Sequence, residues 1–241
     1  MVNLWRMAST ISGKLIRKFI RKLVRLFEKE SFALDNLDKK LASYITKRNG
    51  FFIEVGANDG VSQSNTLYFE KYLGWTGLLI EAIPELAEKC KRNRPKCIVE
   101  NCALVSRDYP YPTVTMWYCN LMSVVEDPRI IPRDRLEAYI QSGLRFLRKD
   151  ERPYRVTVPA RTLSDVLDAH KIEKVDLLVL DVEGYEAEVL KGLDFRRHRP
   201  VFILVEVRSR EEIEAILRPY YREVAVLTCY PEYQDILYVL T

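Results

Sequence analysis

The stretch Phe51-Phe52-Ile53-Glu54-Val55-Gly56-Ala57-Asn58-Asp59-Gly60 constrains this chain most. An apolar run ends abruptly in a loop with two glycines and two small polar residues, as a buried strand does when it runs into a tight ligand-binding turn. The spacing Glu54-x-Gly56-x-x-x-Gly60 suits a nucleotide-type binding loop. It is not the dinucleotide fingerprint, because Asn58 stands where G-x-G-x-x-G needs its second glycine. The loop by itself identifies no ligand, so the other parts of a site must come from the rest of the chain.

From Asn49-Gly50 onward strands and helices alternate. Apolar runs predict strands at 51–55, 77–81, 97–101, 175–181 and 200–207, the later ones apolar on both faces, as a covered parallel strand must be. Helical spacing is expected at 66–73, 84–93, 163–169, 186–190 and 210–217. Two final strands, 223–228 and 235–240, have no helix between them and read as an antiparallel hairpin. The middle is irregular: a Pro-rich stop at 109–112, strand-like alternation at 113–118 and helical spacing at 133–148. The pattern predicts an α/β fold, a mostly parallel sheet with helices on both faces. With 241 residues, 48% of them hydrophobic, the chain has material for one sizeable core. One domain over 50–241 follows, preceded by N-terminal helices over 1–49, the second of them at 34–46.

Charge is unevenly spread. Residues 1–50 hold 12 Lys/Arg and 4 Asp/Glu, whereas residues 51–241 hold 26 and 30. The basic balance therefore belongs to the N-terminal segment, and no nucleic-acid partner is expected for the domain. Residues 11–27 sort apolar and basic side chains onto opposite faces of one helix. Three readings stay open for it: docking on the domain or on a second subunit as a homodimer, peripheral contact with an anionic membrane surface, or a targeting presequence. The five cysteines are odd in number and form no C-x-x-C pair, which fits reduced thiols in a cytoplasmic protein.

In an open α/β sheet, ligands bind beyond the carboxyl ends of the strands. The expected strands end in Gly56-Ala57-Asn58-Asp59-Gly60, Glu81, Glu100-Asn101, Asp181-Val182-Glu183-Gly184 and Glu206, all polar or acidic groups bound for one edge. Glu81 lies 21 residues after Gly60, where an acid can accept hydrogen bonds from ribose hydroxyls. Glycines at 56 and 60 are expected to let the backbone approach a cofactor closely. The loop carries Asp59 and no nearby Lys or Arg, so it lacks what a pyrophosphate cradle wants. An acidic pocket better suits a positively charged cofactor such as S-adenosylmethionine, with its sulfonium and ammonium.

The segments Phe52-Ile53-Glu54-Val55-Gly56-Ala57-Asn58-Asp59-Gly60, Ser64-Asn65-Thr66, Leu73-Gly74-Trp75-x-Gly77-Leu78-Leu79-Ile80-Glu81-x-x-Pro84-Glu85, Asn93-Arg94-Pro95 and Asp176-Leu177-Leu178-x-x-x-Asp181-Val182-Glu183-Gly184-Tyr185-Glu186-x-x-Val189-Leu190-Lys191-Gly192 together resemble the FkbM-type methyltransferases. The resemblance covers about residues 50–207. It implies the class I, Rossmann-like methyltransferase fold, a seven-stranded sheet ending in an antiparallel hairpin, with S-adenosylmethionine as cofactor. It also implies O-methylation, often of sugar hydroxyls on a glycan or small-molecule acceptor. Departures are Ala82 for a proline, Tyr185 for a histidine and Leu180 for a lysine. Carried onto this chain, Glu54, Gly56, Asn58, Asp59 and Gly60 belong to the cofactor loop, with Ser64 just past it. Glu81 would hold the ribose, Ala82 and Ile83 would lie beside the adenine, and Asn101 and Ala103 would border it.

Methyl transfer is an in-line displacement assisted by a base that takes the hydroxyl proton. His170 and His198 precede strands and belong at the opposite edge, so Asp181 is the expected base, near both sulfonium and acceptor, with Glu183 second. Glu183 has the alternative role of capping the next helix. No metal is assigned, although Asp181 and Glu206 are a carboxylate pair. Tyr109, Tyr111, Trp117 and Tyr118 are either sugar-stacking groups or core, and Tyr118, Asn120 and Ser123 fall where acceptor-binding elaborations belong. The rival reading is a catalytically silent scaffold that binds a partner or a membrane.

Overall fold

The computed structural model describes residues 29–241. Segment 11–27, with its docking, dimer, membrane and targeting readings, lies outside the described residues. After a turn at Leu34–Asn36, α1 spans Leu37–Tyr44. There follow β1 (Phe51–Val55), α2 (Leu67–Leu73), β2 (Thr76–Ile80), α3 (Pro84–Asn93) and β3 (Ile98–Glu100). The middle of the chain holds β4 (Ala103–Leu104), β5 (Thr113–Tyr118), β6 (Val124–Val125), α4 (Arg133–Gly143), β7 (Tyr154–Arg161) and α5 (Leu163–Ala169). The chain closes with β8 (Leu177–Leu180), α6 (Glu186–Lys191), β9 (Phe202–Val207), α7 (Arg210–Leu217), β10 (Tyr221–Cys229) and β11 (Gln234–Leu240).

Seven strands form one sheet in the order β3-β2-β1-β8-β9-β11-β10, with β11 alone running against its neighbours. This is the mostly parallel, hairpin-ended α/β sheet of the class I methyltransferase fold. Successive residues of the central strands face opposite layers. Ile53, Leu78, Leu178 and Ile203 pack with Leu163, Val166, Leu190 and Ile213 on one side. Phe52, Leu79, Leu177 and Leu204 pack with Leu37, Leu41, Phe69 and Leu73 on the other. The compact unit runs from Phe32 to Thr241. Helix α1, grouped by sequence with the N-terminal appendage, thus packs into the domain core through Leu37 and Leu41.

The irregular middle is a second sheet, ordered β4-β7-β5-β6, that the sequence pattern does not reveal. Its inner residues Ala103, Val114, Met116, Val125 and Val158 pack against Ile83, Leu86 and Tyr185. It therefore stands beside the carboxyl edge of the main sheet. Trp117 and Tyr118 are consumed by it: Trp117 donates to Glu126 at 2.9 Å, and Tyr118 is buried and stacked on Tyr154.

The loop after β1 is braced from beneath. Arg94, fully buried, donates to the carbonyl of Gly60 at 2.9 Å and to Ser64 and Thr66 hydroxyls at 3.3 Å, and pairs with Glu70. It also lies 3.9 Å from Glu54, whose carboxylate accepts from Ser64 Oγ, Thr66 Oγ1 and the Asn65 amide. The loop thus has an arginine close by, contrary to the expectation from the local sequence, but it serves the core. The glycines act the same way. Gly56 has φ +83°, and a Cβ there would fall 1.9 Å from the carbonyl oxygen of Asp181. Gly60, at φ +79°, would press on Arg94 and Cys90. Both positions are held to glycine by their positive φ and by the closeness of neighbouring segments.

Replacing Arg94 with methionine strands Glu54 and Glu70 without their cation. The expected loss is about 3–5 kcal/mol, read as a lower denaturation midpoint with unchanged slope. A midpoint within experimental error of the native protein would contradict the brace.

Candidate active site

A cavity of about 790 Å³ opens at the carboxyl ends of the parallel strands. On one side it is walled by Gly56, Asn58 and Asn65 after β1, Glu81 and Ala82 after β2, and Cys102 and Ala103 after β3. On the other it is walled by Asp181 and Glu183 after β8, Glu206 from β9 and Arg208 just past it, Tyr230 and Tyr233 from the β10–β11 connection, and Asp235 from β11. Met116, Asn120 and Ser123 from the small sheet, and Tyr139 from α4, line it as well.

Glu81 is held by two backbone donors, the Asn58 amide and the Ile83 amide, each at 2.8 Å. Asn58 reaches this position in the left-handed region, at φ +49°. Burial, opposed by those hydrogen bonds, raises the Glu81 carboxyl to about 7. Asn65 offers a buried side-chain oxygen that has no hydrogen-bond partner among the described residues.

The expected site residues divide into wall and frame. Gly56, Asn58, Glu81, Ala82, Ala103, Asp181 and Glu183 line the cavity. Glu54, Asp59, Gly60, Ser64, Ile83 and Asn101 are not in its wall. Glu54 and Ser64 anchor the loop from inside. Asp59 turns back on its own loop, accepting from the Val61 and Ser62 amides at 3.0 and 2.7 Å. Burial raises its carboxyl, but these hydrogen bonds outweigh burial and hold it below its ordinary value. Asn101 ties the ends of two strands by donating to the carbonyls of Glu81 and Ala82, both at 2.8 Å. Glu100 turns aside to Arg161 and His170, at 2.6 and 2.8 Å. Neither His170 nor His198 lines the cavity, and neither do Tyr109, Tyr111, Trp117 or Tyr118. Among the described residues no group of three or more His, Cys, Asp or Glu is arranged to hold a metal ion.

The sequence matches the family described as the methyltransferase FkbM domain over residues 54–239. The chain belongs to the FkbM methyltransferase family. Its cofactor is S-adenosylmethionine, and the seven-stranded sheet is the one that family membership implies. No curated protein matches the sequence. Solved structures are similar to the chain at low identity. A SAM-dependent methyltransferase from Aquifex aeolicus is 14% identical, covering 91% of this chain and 97% of its own, with a TM-score of 0.47. A TehB-like methyltransferase from Corynebacterium glutamicum is 10% identical, covering 96% and 100%, with a TM-score of 0.43. Aeropyrum pernix fibrillarin, solved with natively bound S-adenosyl-L-methionine, is 14% identical over 88% and 83%, with a TM-score of 0.44.

Beyond the loop after β1, this methyltransferase crowds acids around Asp181. Burial raises the Asp181 carboxyl well above its ordinary value, reinforced by Glu206, Glu183 and Asp235. Burial and Glu183 raise Glu206 to about 8. Arg208 answers part of this charge, pairing with Glu183 at 2.6 Å and Glu206 at 2.7 Å. Glu183 is also bonded by the Tyr139 hydroxyl and sits at φ +59°, a backbone region that L side chains rarely adopt. It does not cap α6. The helix has no side-chain cap at its N-cap Tyr185; Glu186 instead braces the loop before it, accepting from the Val182 and Gly184 amides at 2.9 and 3.2 Å. Tyr185, at the family's histidine position, is tied to Asp127 at 2.8 Å. Arg208, Tyr139, Tyr230, Tyr233 and Asp235 carried no expectation from sequence. The signal for Arg208 was its place two residues beyond a strand-end acid.

Burial raises Glu81 and Glu186 to about 7, and Glu206 rises to about 8. A carboxyl raised on folding binds its proton more tightly in the native state. Its contribution is complete below its unfolded value and is lost as pH rises through the folded one. Thermal stability is therefore expected to fall between about pH 5.5 and 8.5, and Glu206→Gln to flatten that slope. A melting temperature that rises over this interval would contradict the buried-acid reading.

Proposed function

We propose that the protein transfers a methyl group from S-adenosylmethionine to a hydroxyl of a sugar or glycan-type acceptor. The observation that carries this reading is Asp181, which ends the central strand β8 and faces the cavity between its two halves. The first half suits the cofactor. Glu81 offers carboxylate oxygens to ribose hydroxyls, Ala82 and Ala103 flank the adenine, with Ile83 fixing Glu81, and Gly56 and Asn58 border the methionine portion. The unpartnered Asn65 oxygen is an acceptor suited to an ammonium group. The surrounding acids suit a cation and oppose a pyrophosphate.

Bound there, S-adenosylmethionine supplies an electrophilic methyl group on a sulfonium. Asp181 takes the proton of the attacking hydroxyl. In the free protein burial and the neighbouring acids favour its protonated form. A cation beside it favours the carboxylate, so its readiness as a base is linked to cofactor binding. Glu183, held by Arg208 and Tyr139, orients the acceptor. The chain divides, in this reading, into a catalytic domain and an N-terminal basic segment that keeps the enzyme near a membrane-borne acceptor or joins two subunits. Among the described residues no helix is long and apolar enough to cross a membrane.

Calorimetry with S-adenosylmethionine is expected to show binding that tightens from about pH 6 to 8 as Glu81 ionises. Glu81→Gln should weaken it about tenfold and reduce the pH dependence. Asp181→Asn should retain binding and lower turnover by about 10²–10⁴-fold. Absence of heat up to millimolar cofactor would favour a catalytically silent scaffold, and undiminished turnover in Asp181→Asn would remove Asp181 as the base.

A further inference from the structure

The far half of the cavity has a wall of a definite kind. Tyr230 and Tyr233, on the β10–β11 connection, lie with ring centroids 4.9 Å apart and both line it. Tyr233 is half-buried, and among the described residues its hydroxyl has no hydrogen-bond partner, while burial raises that phenol above its ordinary value. Tyr230 is fixed by a hydrogen bond to Asp35, which lines the same space from the turn before α1. Glu206 and Asp235 stand near the Tyr233 ring, and Glu183 lines the same space. Aromatic faces flanked by carboxylates match the two surfaces of a pyranose, whose C–H faces stack on rings and whose hydroxyls donate to acids.

The charge of this half is as informative as its shape. Two arginines line it, Arg145 and Arg208. Arg208 is already engaged with Glu183 and Glu206, and its guanidinium lies 5.7 Å from the ring centroids of both Tyr139 and Tyr233. Arg145 is exposed and lies 4.8 Å from the Phe146 ring centroid. Among the described residues no unengaged buried cation faces the rings, and an added anion would enter a poorly solvated space in which burial already resists the charge of Glu206 and Asp235. The wall therefore selects against charge as well as for shape.

We infer that Tyr230 and Tyr233, with the carboxylates of Glu183, Glu206 and Asp235, form the acceptor subsite, and that it takes a neutral pyranoside and rejects one bearing a carboxylate or phosphate. This rests on the sugar-hydroxyl reading above and narrows it. The test uses the full chain saturated with S-adenosylhomocysteine. Binding of methyl glucopyranoside and of methyl glucuronide, which differ at the C6 carboxylate, is followed by saturation-transfer NMR. Methyl transfer from labelled S-adenosylmethionine to each sugar, and to a simple phenol, is measured alongside.

The neutral glycoside is expected to bind at least about tenfold more tightly than the uronide and to be the better acceptor. Tyr233→Ala should weaken its binding about tenfold or raise its KM correspondingly, with cofactor affinity unchanged. Tyr233→Phe, which keeps the ring, should restore most of that loss. Equal or tighter binding of the uronide would overturn the neutral-acceptor inference and leave the sugar reading standing. Unchanged sugar binding in Tyr233→Ala would overturn the placement of the subsite. Failure of both sugars to bind would overturn this inference, and transfer to the phenol in that case would overturn the sugar reading as well.

Discussion

The carboxylate of Glu54 is taken out of water in the middle of the sheet, and everything around the cofactor loop follows from how that cost is met. Arg94 comes from the end of α3, some forty residues later in the chain, and lies buried beside it. The Ser64 and Thr66 hydroxyls and the Asn65 amide complete the acceptor shell. A buried ion pair with all its hydrogen bonds made is costly to break and so holds its surroundings in one arrangement. Here it fixes the turn from Gly60 to Thr66. That turn in turn presents Asn58 and Asn65 to the cavity. The close contact of Gly56 with the Asp181 carbonyl locks β1 to the end of β8. The two halves of the site are thereby held at a constant separation.

On this frame the chemistry is one of crowded acids. Glu81, Asp181, Glu183, Glu206 and Asp235 all approach the same space, and Arg208 is the principal counterweight. Such a cluster is unfavourable in an empty site at neutral pH and becomes favourable when a cation enters. The same arrangement that costs stability above pH 7 serves, in the proposed reading, affinity for a sulfonium and readies a base beside it. Stability and function draw in opposite directions here, as active sites often require.

Much of this was legible in the sequence. Continuous apolar runs marked the central strands, and the polar residues ending them marked the carboxyl edge. Glu81, Asp181 and Glu206 were found by that logic because a strand tip is a local property. The small sheet escaped because β4 and β6 are two residues each and Pro159 interrupts the pattern of β7. The roles of Gly56 and Gly60 escaped because the atoms they would strike, Asp181 O and Arg94 Cγ, belong to distant segments. Asp59 was expected in the cofactor pocket but spends its oxygens on its own turn. The far half of the cavity is assembled from residues near positions 35, 139, 183, 207 and 232, and apart from Glu183 and Glu206 no sequence signal marks them.

The central claim is that the cofactor lies at the carboxyl ends of β1, β2 and β8, between Glu81 and Asp181. A crystal structure of the full chain with S-adenosylhomocysteine tests it most directly. The ribose hydroxyls should meet the Glu81 carboxylate, the amino-acid portion should lie near Asn58 and Asn65, and the sulfur should face Asp181. Ligand bound elsewhere on the sheet, or bound in this cavity without contact to Glu81, would contradict the account.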